Sequence, residues 1–250
     1  MFVNLHNRDR GNIGDWECAP ANYFPDLIGR VGHLADARAE DLRGNDVILG
    51  GGGLLNDFFG RFVAPLATAR RRIAWGAGHN EHGVSSPVPL PAWAAKFEVL
   101  GVRDWGTPFR WVPCPSCLSP HFDALHPITR HAVHFEHQMR NIDLGLPKVR
   151  NDARDFARVV AHLASAEVVV TSSYHGAYWA MLLARRVVVI DSFSSKFFSF
   201  KRQPPVVRGM DWMAAAKDCS DNAGFLAECR QATADFAADV FGPRPAVGGR

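Results

Sequence analysis

The segment Thr171-Ser172-Ser173-Tyr174-His175-Gly176 lies between the apolar run "VVV" (168–170) and the apolar stretch "AYWAMLLA" (177–184). A histidine titrates near neutral pH and passes a proton in either direction. Hydroxyls beside it, together with the free N–H groups of a helix beginning there, suit an oxyanion. His175 is thus a candidate catalytic group, and Ser172, Ser173 and Gly176 are candidate anion-binding positions. Downstream, "DSFSSKFFSFKR" (191–202) adds further hydroxyls and Lys196, groups that hold a phosphate. The N-terminal half contributes four more polar segments. "GNIGD" (11–15) supplies Asn12, Gly14 and Asp15, and "GGGGLLND" (50–57) supplies Gly51, Gly52, Gly53 and Asn56. "GAGHNEHG" (76–83) supplies His79 and Glu81, and "VRD" (102–104) supplies Arg103. Glycines allow backbone N–H groups to approach an anion closely, although each such loop taken alone also serves as a tight turn. Plainer roles exist for the others: His175 as a cap of its own helix, Asp15 as an N-cap, Lys196 as a solvated side chain.

These positions require elements that bring them together. "FVNLH" (2–6), "VILGG" (47–51), "RIAWG" (72–76) and "EVLGV" (98–102) are short apolar runs that end in glycine or polar residues, the pattern of buried parallel strands. "WECAPANYFPDLIG", "GLLNDFFGRFVAPLATA" and "VPLPAWAAKF" are read as helices between them, with Pro20, Pro25 and Pro65 blurring the boundaries. The proline-rich stretch 111–130 reads as a linker. Beyond it come a strand (131–137), a polar loop (138–150), a helix (153–166), the strand-helix-strand unit of 168–190 and a closing helix (222–241). The expected fold is α/β, with two Rossmann-like domains built on parallel sheets, divided into 1–125 and 126–250. Ligands of open parallel sheets bind outside the carboxyl ends of the strands. The loops at 11–15, 50–57, 76–83, 171–176 and 192–202 are therefore expected to line one interdomain cleft.

Composition narrows the function classes. With 47% hydrophobic and 21% charged residues and a net charge of +3, the 250-residue chain has an ordinary globular balance and no basic run long enough for a nucleic-acid groove. No stretch approaches a membrane span, and the five cysteines, an odd number, suggest free thiols, so a cytoplasmic protein is expected. "GGGGLL" departs from G-x-G-x-x-G because Leu55 stands at the third glycine, and a Walker lysine is missing, which disfavours nicotinamide or ATP. "CPSC" (114–117) has no second C-x-x-C, and the histidines of "HAVHFEH" alternate across a strand, so no metal is expected. Tyr174, Tyr178 and Trp179 read as core, with one ring free to stack on a sugar.

In order and setting, "GNIGD", "GGGGLL", "GVRD", "TSSYHGAYWAMLLARRVVVI" and "SSKF" are similar to the motifs of the polysaccharide pyruvyl transferase family. The resemblance implies a GT-B-like two-domain fold, with the second domain shortened, and transfer of pyruvate from phosphoenolpyruvate to two hydroxyls of a glycan or glycan precursor, free or lipid-linked, as a cyclic ketal. It places His175 on the family's histidine and Arg103 on a donor-binding arginine. No cofactor is implied beyond the donor substrate. Tyr174 stands where the family carries a basic residue, and "CPSC" replaces an Asp-Pro element. The chemistry needs a proton delivered to the methylene carbon, which gives His175 the role of an acid that later serves as base, and Asp15 that of a group holding or deprotonating an acceptor hydroxyl. Two other expectations stand beside this one: a GT-B-like glycosyltransferase using a nucleotide sugar, and a family member that binds a glycan or anion without catalysis.

Overall fold

Residues 1–9 and 11–242 are described by the computed structural model. The first sheet comprises β1 (Phe2–His6), β2 (Ile28–His33), β3 (Asp46–Gly52), β4 (Arg71–Ala77), β5 (Val99–Val102) and β6 (Arg110–Trp111), in the order β2-β1-β3-β4-β5-β6. The second comprises β7 (Arg130–Glu136), β8 (Lys148–Arg150), β9 (Ala166–Thr171), β10 (Arg186–Ile190) and β11 (Val206–Val207), in the order β11-β10-β9-β7-β8. Every pairing is parallel. The two sheets share one winding: the first strand lies between the second and the third, so each sheet reverses its direction of growth beside its first strand. Such a reversal opens a crevice at the carboxyl edge. Both sheets are consistent with Rossmann-like domains.

The helices of the first domain are shorter than the apolar runs suggested. α1 (Ile13–Glu17), α2 (Ala39–Leu42) and α3 (Asp57–Gly60) are single turns, and 64–68 and 92–96 are 3-10 turns. Proline at 65 and 91 limits continuation, and the apolar side chains there pack as irregular loops on the sheet, with Leu54, Leu55 and Leu66 fully buried. Part of the first helix expected is instead β2, an edge strand whose glycines and exposed face give no period-two signal.

In the second domain the periodicity is decisive. α4 (Phe156–Ala164) buries Phe156, Val159, Val160, Leu163 and Ala164, at i, i+3, i+4, i+7 and i+8, and Asp155 caps it by accepting from the Arg158 N–H at 3.0 Å. α5 (Tyr174–Leu182) is buried on every side and accordingly lacks an amphipathic pattern. Its outer face is covered by the linker: the Tyr178 hydroxyl donates to the Cys114 carbonyl at 2.9 Å and the Trp179 indole to Ser116 Oγ at 3.0 Å.

After α6 (Trp212–Ala215), the closing helix α7 (Phe225–Phe241) serves both halves. Phe225 and Cys229 join the core around α5, whereas Phe236 and Val240 pack with Trp75, Ile48 and Ile73 of the first sheet. The segment around 125 joins the two sheets in sequence, and the end of the second half lies on the first sheet. No helix among the described residues is long and apolar enough to cross a membrane.

Candidate functional site

The carboxyl edges of the two sheets enclose a cavity of about 440 Å³. All five expected loops reach it: Asn12 and Asp15; Gly53 and Asn56; Glu81; Ser173 and His175; and Lys196. Arg103, from the end of β5, completes the floor.

Arg103 is only 3% exposed, yet its side chain has no carboxylate partner among the described residues, and its Nε is buried without a hydrogen-bond partner. A buried guanidinium is costly unless something compensates its charge. What it does have is a platform: its guanidinium carbon sits 3.8 Å from the centre of the Tyr174 ring, and Tyr174 stacks in turn on Phe200. Lys196 is the second basic side chain of the cavity without a bonded carboxylate. Its Nζ lies 4.7 Å from the Phe193 ring centre and forms no ion pair among the described residues. Burial, reinforced by the nearby Arg103 charge, pulls its pKa down to about 7.

His175 occupies the second position of α5. Ser173, not His175, caps that helix, with its Oγ accepting from the Gly176 N–H. The imidazole is pressed against Gly14, where a Cβ would stand 2.1 Å from Nδ1, and its Nε2 lies 3.7 Å from Cys114 Sγ. Gly14 is therefore required for its lack of a side chain. Burial holds the His175 pKa well below its ordinary value, and the Arg103, Lys196 and His137 charges push in the same direction. The imidazole is neutral.

Asp15 immediately follows Gly14. Its carboxylate accepts from the Asn7 amide at 2.8 Å, and the helix cap it could have provided comes from Asn12, whose Oδ1 accepts from the Gly14 N–H at 3.0 Å. Burial raises the Asp15 pKa to about 7, with the Lys196 charge opposing. Near neutral pH the site thus holds a carboxyl and an amine that both titrate beside an imidazole that does not.

Several expected site residues lie elsewhere. Ser172 faces away from the cavity, its Oγ accepting from the His137 N–H at 3.1 Å. Gly176 is packing: a Cβ there would meet Phe135 Cδ1 at 2.4 Å and Thr171 Oγ1 at 2.5 Å. Gly51 and Gly52 belong to the end of β3, behind the cavity wall, where the Gly51 N–H donates to the Cys18 carbonyl at 2.9 Å.

His79 is fully buried rather than cleft-lining. Its Nδ1 is 2.7 Å from Ser195 Oγ and its Nε2 is 2.9 Å from Ser199 Oγ, while its backbone N–H donates to Asp104 at 2.7 Å. Main-chain bonds reinforce this tie between the halves: Ser195 N–H to Glu81 carbonyl at 2.9 Å, Gly83 N–H to Phe193 carbonyl at 2.9 Å and Trp105 N–H to Ser199 carbonyl at 2.9 Å. Each cavity cation is chain-adjacent to a member of this tie, Arg103 to Asp104 and Lys196 to Ser195.

The cavity also holds residues that sequence patterns did not single out, among them Asn7, Asn80, His137, Gln138, Asn151 and the 57% exposed Phe58. Asn151 Nδ2 donates to Asn12 Oδ1 at 3.2 Å across the cleft. Polar residues in the loop after β7 were the available signal, since the loop following a first strand borders the crevice in this winding. Cys114 and Cys117 are buried free thiols in a 3-10 turn. Among the described residues no group of three or more His, Cys, Asp or Glu is placed to hold a metal.

No protein-family model matches the chain, and no curated protein matches it. Among solved structures it is similar to a functionally uncharacterised protein from Klebsiella pneumoniae subsp. pneumoniae NTUH-K2044, with a TM-score of 0.50 and 16% identity over 76% of this chain and 82% of that chain. The likeness is one of fold.

Proposed function

We propose that the chain transfers pyruvate from phosphoenolpyruvate to two hydroxyls of a glycan or glycan precursor, forming a cyclic ketal and releasing phosphate. The observation that carries this reading is the pair of basic side chains, Arg103 and Lys196, that form no ion pair among the described residues and line a cavity that also contains Asp15 and His175. Phosphoenolpyruvate brings a phosphate and a carboxylate, one anionic group for each cation. Tyr174, where the resembled family has a basic residue, contributes the ring on which Arg103 rests.

The electrostatics favour a division of labour different from the one expected from sequence. Asp15, with a pKa of about 7, still carries a proton near neutrality and delivers it to the methylene carbon of the donor. The first acceptor hydroxyl adds to the adjacent carbon as neutral His175 takes its proton. The carbon–oxygen bond to phosphate then breaks, with the electron pair leaving on the phosphate. Arg103 and Lys196 stabilise that charge, and the imidazolium of His175 returns its proton to it. The second hydroxyl adds to the resulting oxocarbenium carbon and gives its proton to Asp15, restoring the starting state. The measurement is ketal formation and phosphate release in single turnover against a panel of glycans and lipid-linked saccharides. Ketal product in step with phosphate supports the reading. Transfer of a sugar from a nucleotide donor by the same preparation, without a ketal, would replace it by the glycosyltransferase alternative.

A further inference from the structure

We propose that Lys196 is a nucleophile as well as a cation, and that its amine condenses with the carbonyl of a 2-oxo acid whose carboxylate rests on Arg103. This inference stands independently of pyruvyl transfer. It begins from placement. Lys196 lines the cavity, has neither a hydrogen bond nor an ion pair among the described residues, and lies against the rings of Phe193 and Phe197 at 4.7 and 5.4 Å. Desolvation against apolar surface and the neighbourhood of a second cation are the two devices that turn a lysine into an amine nucleophile, and both are present.

The charged and titratable groups around it are Arg103 at the end of β5, Asp9 after β1, Asp15 on α1, Glu81 and His82 after β4, His137 after β7 and His175 on α5, with Arg140 packed on the same Phe193 ring. Burial disfavours the ammonium most, Arg103 adds to that, Asp15 favours it, and the balance leaves the amine with a pKa of about 7. His137 and His175 are held below their ordinary values chiefly by burial, and His82 is lowered as well, so none of the three contributes a positive charge near neutrality.

The ligand class follows from the same residues. The unpaired guanidinium selects a carboxylate, and a neutral amine lining the same cavity selects the carbonyl of a 2-oxo acid. In the reaction the neutral amine adds to the carbonyl carbon, the carbonyl oxygen takes a proton from Asp15, and the carbinolamine loses water to leave a protonated imine. Atoms and charge balance with water as the sole product released.

The full-length protein is incubated with pyruvate and sodium cyanoborohydride, whose hydride reduces the imine to a stable secondary amine, and the modified residue is located by peptide mapping. Lys196 is expected to be labelled at least about tenfold faster than exposed Lys217 at neutral pH, because an ordinary lysine is almost wholly protonated there. Labelling should pass through a maximum near pH 7, where the amine is losing its proton while Asp15 still holds one. Inorganic phosphate should suppress it by restoring the ammonium, and acetone, which lacks the carboxylate, should label Lys196 much more slowly than pyruvate does. Lys196→Arg keeps the cation and should give no adduct at that position, with a thermal melt reporting on its fold. Labelling of Lys196 at or below the rate of Lys217 in the folded wild type overturns the proposal, as does labelling by acetone equal to that by pyruvate. Phosphate release from phosphoenolpyruvate, measured separately, is unaffected by either outcome, so failure of the imine and failure of pyruvyl transfer are read independently.

Discussion

At the scale of single residues, the site is defined by what is left unpaired. Arg103 and Lys196 face a cavity with no carboxylate bonded to either among the described residues, and under the proposed function the phosphate and carboxylate of phosphoenolpyruvate are the expected counter-charges. A charge-assisted contact is worth about 1.5–3 kcal/mol, so Arg103→Ala should weaken phosphoenolpyruvate binding roughly ten- to hundredfold in calorimetry. Asp15 acts while protonated and Lys196 binds while protonated, and both lose their protons as pH rises through about 7. Turnover should therefore fall above that pH. If Asp15 is the acid, the fall should persist in Lys196→Arg, where Asp15 still titrates in that window, and Asp15→Asn should lose most of the activity. His175 is buried against Gly14 and Cys114, so Gln, close to it in volume, is the informative replacement. His175→Gln should retain its thermal transition and lose about 10²–10⁴-fold in turnover. The motif's histidine and the arginine of "VRD" were legible from residue type and strand-end position. Ser172 and Gly176 beside them were not, because the Ser172 hydroxyl and the Gly176 Cα face packing partners, the His137 N–H and the Phe135 ring, that lie more than 30 residues away.

At the scale of elements, the 76–83 loop matters as a clamp. His79 bonds the serines on either side of Lys196, and its own N–H is held by the residue after Arg103. His79→Ala should lower stability by about 1–3 kcal/mol, since it leaves Ser195 and Ser199 without that partner. It should also weaken donor binding even where the fold persists, as measured by calorimetry below the melting temperature. Normal donor affinity in that folded variant would reduce His79 to a structural bond. The β-strands at 2–6, 46–52, 71–77 and 99–102 were legible because each is a buried apolar run. β6, β8 and β11 were not, being two or three residues long and defined by their neighbours rather than by their own pattern. Helical periodicity was a sound guide for α4 and α7, and misleading where prolines and glycines broke the apolar segments of the first half into single turns.

At the scale of the whole molecule, one winding used twice places two crevices face to face, and backbone bonds, the linker and α7 fix their separation. The duplication left no trace as a sequence repeat because it resides in strand order alone. A chain-wide consequence is acid sensitivity. His6, His79 and His134 are held at about 4, His137 at about 3 and His175 well below its ordinary value, in each case chiefly by burial. A folded pKa below the unfolded one gives stability that is complete above 6.5 and lost as pH falls toward 4. Asp15 and Asp104, raised to about 7, act in the opposite sense over the same window but are outnumbered. Thermal melts should therefore show a lower transition at about pH 5 than at about pH 7. Whether the cavity between the sheets is a phosphoenolpyruvate site is decided by calorimetric titration of phosphoenolpyruvate and of UDP-sugars into the wild-type protein and Arg103→Ala. Phosphoenolpyruvate should bind the wild type, Arg103→Ala should weaken it roughly ten- to hundredfold, and UDP-sugars should give no saturable heat. Saturable binding of a UDP-sugar, with phosphoenolpyruvate silent or indifferent to Arg103→Ala, would contradict that assignment.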